Sequence, residues 1–164
     1  MEGRGGPMHT TEAMRAHMRE ALSEGIRAAS WGDVPIGAVV VDEHGTIIGR
    51  GRNERELRKD PSAHAEVVAL REAAAHRGSW RLEGCTLVVT LEPCAMCAGT
   101  LLAARVDAVV FGAWDDKAGA VGSVYDLVRD GYLPQRAGVV GGVLAEECAE
   151  PIRAFFRDND AANS

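Results

Sequence analysis

The sequence predicts one α/β domain in three layers, with helices on both faces of a central mixed sheet of about five strands. Three observations predict it. Short β-branched runs alternate with stretches of helical period, and no stretch repeats or shifts composition as a second domain would. The chain's 164 residues, 46% hydrophobic and 26% charged, suit one buried core.

Residues 1–10, M-E-G-R-G-G-P-M-H-T, have no apolar signal-peptide core and read as a flexible leader. From Thr11 to about Ala29, Met14, Met18, Leu22 and Ile26 recur every four residues. This predicts an amphipathic helix with Thr10 or Thr11 as N-cap. Val34–Val41 is a β-branched run, Asp42-Glu43-His44-Gly45 supplies a turn, and Thr46–Gly51 returns as the second strand of a hairpin. Asn53–Ala63 is a polar loop containing Pro61, and a helix from His64 to about His76 stops at Gly78. Thr86–Thr90 is a short buried strand, and Pro93, as first helical residue, opens a helix to about Arg105. Asp107–Gly112 is the next strand, followed by a Gly-rich loop through Gly122 and a short helix from Val124. Val139–Val143 is an edge strand, and the last helix runs from Ala145 to about Arg157. Residues 11–157 thus form the domain, and Asp158–Ser164 a frayed polar tail.

No apolar run approaches the roughly 20 residues needed to cross a bilayer. A net charge of −6 argues against a general nucleic-acid coat protein, because sequence-independent phosphate binding wants positive charge. Any nucleic-acid contact is therefore local, and Arg50–Lys59, with five basic residues against two acidic, marks a place for it. Four cysteines without a secretion signal point to a reducing cytoplasm and to metal or redox chemistry rather than disulfides. Cys85 and Cys148 have no ligand-like neighbours and read as small buried apolar residues, while His9, His44 and His76 read as solvated.

The chemistry lies in two segments, His64-Ala65-Glu66 and Pro93-Cys94-Ala95-Met96-Cys97. Cysteines three apart at a helix start share a face, and the helix N-terminus favours thiolate. With His64 they make a three-ligand zinc set, one ion per chain, leaving a tetrahedral position for water; that marks a catalytic zinc. Two positions apart in a regular helix, His64 and Glu66 would point about 200° from one another. They converge only if His64 sits at the helix entry, which Asp60-Pro61-Ser62 makes plausible; Glu66 is then a proton carrier, not a ligand. H-x-E followed by P-C-x-x-C is the signature of zinc deaminases acting on nucleobases. A lone C-x-x-C could be a thioredoxin-like dithiol or part of a closed structural zinc site, but neither needs His64 and Glu66 in this arrangement.

From about Met14 to Arg157 the chain resembles the bacterial tRNA-specific adenosine deaminases, of the cytidine deaminase-like superfamily. The matching stretches are D-V-P-I-G-A-V-V-V (Asp33–Val41), G-R-N (Gly51–Asn53), D-P-S-A-H-A-E (Asp60–Glu66) and T-L-E-P-C-A-M-C-A-G (Thr90–Gly99). Later come V-V-F-G-A-W-D-D-K-A-G-A-V-G-S (Val109–Ser123), G-V-L-A-E-E-C (Gly142–Cys148) and F-F-R (Phe155–Arg157). The resemblance implies conversion of the wobble adenosine of a tRNA anticodon to inosine, by a cytoplasmic homodimer acting on the anticodon stem-loop. It implies that Asn53 hydrogen-bonds the flipped nucleoside and Ile36 walls the base pocket. Asp115 and Lys117 meet the flanking nucleotides, and Phe156 and Arg157 reach the loop from the last helix. Phe155, adjacent to Phe156, cannot share its face and is expected in the core.

The chain departs from that family at the RNA rim. Asp158-Asn159-Asp160 follows F-F-R where basic residues are frequent, Trp114 replaces a basic residue, and Pro134-Gln135-Arg136 replaces a frequent N-H-R. The competing readings are a free-base or nucleoside deaminase acting on guanine, cytosine or cytidine, and a non-catalytic zinc-binding protein.

Overall fold

A computed structural model describes residues 10–162. The leader expected over 1–10 lies outside these residues apart from Thr10, as do 163–164 of the tail. Helix α1 (Glu12–Ala28) is capped by Thr11, whose Oγ1 accepts the Met14 N–H at 3.1 Å. A 3₁₀ turn, Ala29–Trp31, follows. Strands β1 (Gly37–Val41) and β2 (Ile47–Arg52) form the hairpin. Val34–Ile36 stays outside the ladder because the Ile36 N–H turns back to the Val34 carbonyl at 2.8 Å. Then come the short α2 (Arg55–Arg58), inside the expected polar loop, and α3 (Ala65–Arg77), closed by Gly78 at φ 74°. Strand β3 (Thr86–Leu91), α4 (Ala95–Ala103), β4 (Ala108–Ala113), β5 (Gly138–Val140) and α5 (Ala145–Ala162) complete the fold.

The five strands lie in the order β2-β1-β3-β4-β5. β1 is antiparallel to both neighbours, whereas β3, β4 and β5 are parallel, so the sheet is mixed. Side chains alternate across it with the two-residue strand period. Val40, Leu87, Val89, Val109 and Phe111 face α3 and α4; Val39, Val41, Val88 and Val110 face α1 and the Cys148 end of α5. The three predicted layers are present.

Glycines set how close two of the helices come. A Cβ on Gly49 would lie 2.3 Å from the Ala69 carbonyl oxygen, and one on Gly51 2.2 Å from that of Ala65. α3 therefore packs backbone to backbone on β2, which draws its first turn, with His64 and Glu66, against the sheet end. Gly37 of β1 meets Ala21 and Gly25 of α1 in the same way.

Four expectations change. Ile26 is 60% exposed. A four-residue step overshoots a helical turn by about 40°, so three steps from Met14 rotate Ile26 about 120° away from the core. Small residues, Ala21, Gly25 and Ala28, fill the buried face instead. Pro93 is not the first helical residue: Cys94 is the N-cap of α4, and Pro93 precedes it. The segment after Val124 forms turns, with a bridge between Val121 and Asp126, rather than a helix. The tail expected from Asp158 is helical to Ala162, and Arg153 and Arg157 pair with Glu146 and Glu150 one and two turns earlier along α5.

Candidate active site

Two helices begin at the same point, and each gives its cap position to a ligand. His64 is the N-cap of α3, extended at φ −72°, ψ 154°, and Cys94 is the N-cap of α4 at φ −76°, ψ 177°. Neither side chain makes a capping hydrogen bond. His64 Nδ1 lies 3.7 Å from Cys94 Sγ and 3.5 Å from Cys97 Sγ. All three donor atoms fall within 4.8 Å of one another. Zinc bonded to sulfur at about 2.3 Å and to nitrogen at about 2.05 Å makes tetrahedral S···N edges of about 3.5 Å, so the donor set fits zinc in type and spacing. The His64 entry geometry is the irregular one that convergence with Glu66 requires.

Hydrogen bonding from the Cys97 thiol, then from His64, brings the Cys94 thiol down to about 3. Cys97, hydrogen-bonded to Cys94 and deeply buried, is pushed up. Glu66 is 4% exposed. Burial drives its carboxyl above the ordinary carboxylate range, only partly offset by His64 and the Cys97 thiol beside it. A buried carboxyl with a raised pKa, next to a three-donor metal set, is suited to taking up and returning a proton.

Residues 11–113 match the cytidine and deoxycytidylate deaminase zinc-binding region. The chain is 49% identical over 142 residues to the tRNA-specific adenosine deaminase of Bacillus subtilis, covering 87% of this chain and 88% of that one. It is 46% identical over 140 residues to the enzyme of the same name from Haemophilus influenzae, covering 85% and 81%. The chain belongs to the zinc-dependent deaminase family that includes these enzymes. A solved structure from work on A-to-I editing by tRNA:A34 deaminases at the wobble position superimposes with a TM-score of 0.80 at 38% identity, covering 83% of this chain and 98% of that one.

In this deaminase Asn53 is 6% exposed and held at every polar group. Its N–H donates to the Ile36 carbonyl at 3.2 Å, and its carbonyl accepts Trp31 Nε1–H at 3.0 Å. Nδ2 donates to the Val34 carbonyl at 3.0 Å, and Oδ1 accepts the Ala65 N–H at 3.0 Å. Asn53, directly after β2, thus supplies the cap that His64 cannot give to α3. Ile36 is half-buried against the core on the α3 side of the sheet.

Asp115 and Lys117 lie on the loop after β4. The Asp115 carboxylate accepts the Lys117 and Ala118 N–H groups at 3.1 and 3.2 Å, and the Lys117 side chain is exposed. Phe156 is 51% exposed and Phe155 half-buried, with their rings edge-to-face at 5.5 Å; Phe155 leans inward without entering the core cluster. Arg157 is exposed and pairs with Glu150.

The basic run at 50–59 is largely neutralised. Arg50 pairs with Glu20 and Glu24, Arg52 with Glu24 and Glu54, and Arg58 with Glu54. Counting along the chain could not show this, because Glu20 and Glu24 arrive from α1. Cys85 and Cys148 are fully buried, as expected.

Sequence reasoning gave Glu92 no role. It is 2% exposed and accepts hydrogen bonds from the Asp115, Val121 and Ser123 N–H groups, each at 3.0 Å, and from the Ser123 hydroxyl. The available signal was a carboxylate at the end of an apolar strand, facing a Gly-rich loop with backbone N–H groups to spare.

Proposed function

We propose that this deaminase hydrolyses adenosine to inosine at the wobble position of a tRNA anticodon. The buried Glu66 carboxyl beside the His64, Cys94 and Cys97 donor set carries the chemical part of this reading. The likeness to tRNA-specific adenosine deaminases over most of the chain supports the choice of base and of RNA. An anticodon loop presents a base that can be splayed out at small cost, so no duplex need open.

His64, Cys94 and Cys97 would hold the zinc, which would supply a water of lowered pKa as a nucleophile at neutral pH. Glu66 receives the proton that water gives up as it adds to C6, and delivers it to N1. It takes the remaining hydroxyl proton as the C6–N bond breaks and passes it to the amino group. Ammonia leaves, and water has been consumed. Burial of Glu66 keeps bulk water from short-circuiting these transfers.

Asn53 orients the nucleoside and Ile36 walls the base. Asp115 and Lys117 meet the nucleotides flanking it, and Phe156 and Arg157 extend the contact along α5. Support for Asn53 is its bond to the Ala65 N–H next to His64, and for Asp115 and Lys117 the tie of their loop to Glu92, two residues before Cys94; Phe156 and Arg157 lie on α5 across the sheet. The protein acts as a homodimer in the cytoplasm. Exposed Trp80 and Met96, beside a groove lined by Val67, Leu70 and Leu82 next to the start of α4, offer an apolar surface for a second copy. Among the described residues no helix is long and apolar enough to cross a membrane.

The test is deamination of an anticodon stem-loop carrying wobble adenosine, run beside guanine, cytosine and cytidine. Inosine and ammonia should come from the stem-loop alone; turnover of a free base or nucleoside with an inert stem-loop would overturn the reading.

A further inference from the structure

Glu92 links two parts of the molecule that are far apart in sequence. One is the metal helix, which begins at Cys94 two residues later. The other is the loop from Asp115 to Ser123, which carries Asp115 and Lys117.

Each carboxylate oxygen takes part. Oε1 accepts the Asp115 N–H at 3.0 Å and the Ser123 hydroxyl; Oε2 accepts the Val121 and Ser123 N–H groups, both at 3.0 Å. The adjacent Pro93 carbonyl accepts the Ala120 N–H at 2.8 Å, so both limbs of the loop are tied to the Glu92-Pro93 step. The loop is shaped to admit the carboxylate. A Cβ on Gly119 would fall 2.4 Å from Glu92 Oε1 and Cδ, so only glycine fits there. The strand ladder fixes the other end, with the Glu92 N–H donating to the Ala113 carbonyl at 2.9 Å.

From this geometry we infer that Glu92 is a positioning residue for substrate: its carboxylate sets the Asp115–Ser123 loop relative to the zinc helix, and hence where the RNA flanking the reacting base rests. The inference depends on the RNA reading above. An ionised carboxylate suits the task because four donors converge on two oxygens. An amide replaces one of those oxygens with an NH₂ group, which then faces N–H donors it cannot satisfy. Glu92→Gln therefore releases one side of the loop with almost no change in volume. Glu92 lies outside the His64, Cys94 and Cys97 donor set and its carboxylate is taken up by the loop, so its loss should appear in RNA binding and not in the proton transfers.

The test measures four properties of Glu92→Gln in the zinc-loaded protein: zinc content, amide hydrogen exchange of the 114–124 segment, Kd for the stem-loop, and single-turnover rate at saturating stem-loop. Ser123→Ala, which removes one hydroxyl donor and leaves Glu92 intact, is the milder companion. Expected for Glu92→Gln are one zinc per chain, faster exchange confined to the loop, Kd raised about tenfold, and a saturating rate within about threefold of the parent. Ser123→Ala should move exchange and Kd the same way by less. Unchanged loop exchange, or a loosened loop with parental Kd in both variants, would overturn the inference. So would loss of zinc from Glu92→Gln combined with parental behaviour of Ser123→Ala, because Glu92 would then serve the metal helix alone. Inertness of the parent toward the stem-loop would instead sink the RNA reading, while the exchange result still reports on the anchor.

Discussion

The Asn53 Oδ1 accepts the Ala65 N–H at 3.0 Å, closing the first turn of the helix that carries Glu66. A metal-ligating N-cap cannot also cap its helix, and the residue that follows the neighbouring strand does so instead. Replacing Asn53 with Ala leaves the buried Ala65 N–H unpaired and the Val34 carbonyl with only the Ile36 N–H, a cost of about 1–3 kcal/mol. Thermal unfolding of the zinc-loaded protein should fall accordingly, and zinc should be lost to a competing chelator more readily than from the parent. Parental stability would mean that water takes over the Ala65 N–H.

Glu66→Gln should keep one zinc and much of the stem-loop affinity while losing turnover by about 10²–10⁴-fold, toward the upper end because one group serves both transfers. Metal analysis paired with single-turnover deamination decides the point. Loss of zinc would make Glu66 a ligand; near-parental turnover would require another proton carrier.

Thiol accessibility reports the metal directly. With zinc bound, none of the four cysteines should react quickly with a chromogenic disulfide reagent. After chelation Cys94, half-buried and with its thiol brought down to about 3, should react quickly while buried Cys97 stays slow, and after denaturation all four should react. Cys148 stays silent in the fold because burial pushes its thiol up to about 12, and burial raises Cys85 as well. A fast Cys94 thiol at full zinc occupancy would refute the ligand set, and Cys94→Ala or Cys97→Ala should lose metal and activity together.

Replacing Lys117 with Ala should weaken stem-loop binding and flatten its salt dependence by about one phosphate contact. Affinity measured over a salt series checks this; an unchanged slope would leave Lys117 a solvated loop charge.

Acid stability should depend on Glu54. Burial opposes its ionisation, but Arg58 and then Arg52 outweigh burial and hold its pKa below the ordinary 4.5. A carboxylate depressed in the folded state contributes stability in full above its unfolded pKa and loses it as pH falls through the folded one. Glu54→Gln should therefore cost about 2–3 kcal/mol at pH 7, with the gap to the parent closing as the pH drops below about 4.5. Denaturant midpoints of both proteins across that range test the sign, since losses common to the two cancel; a gap independent of pH would contradict it.

Sequence alone determined the layered fold, the order of its main helices and strands, a threonine cap at position 10 or 11, the zinc donors and the special entry of His64. These rest on spacing within a few residues, where helical and strand periods and the reach of a side chain leave few choices. Tertiary structure decided what depends on residues brought together from afar. Glu24 of α1 neutralises Arg50 and Arg52 across 26 and 28 residues, Asn53 caps α3 across 12, and Glu92 holds the Asp115–Ser123 loop across 23 to 31. Ile26 lies outside because small residues and glycine let α1 approach β1 closely on another face. A charge run or an apolar stripe states only what a segment can offer; which partner it meets is settled by how the sheet orders its strands and which backbones glycine allows to touch.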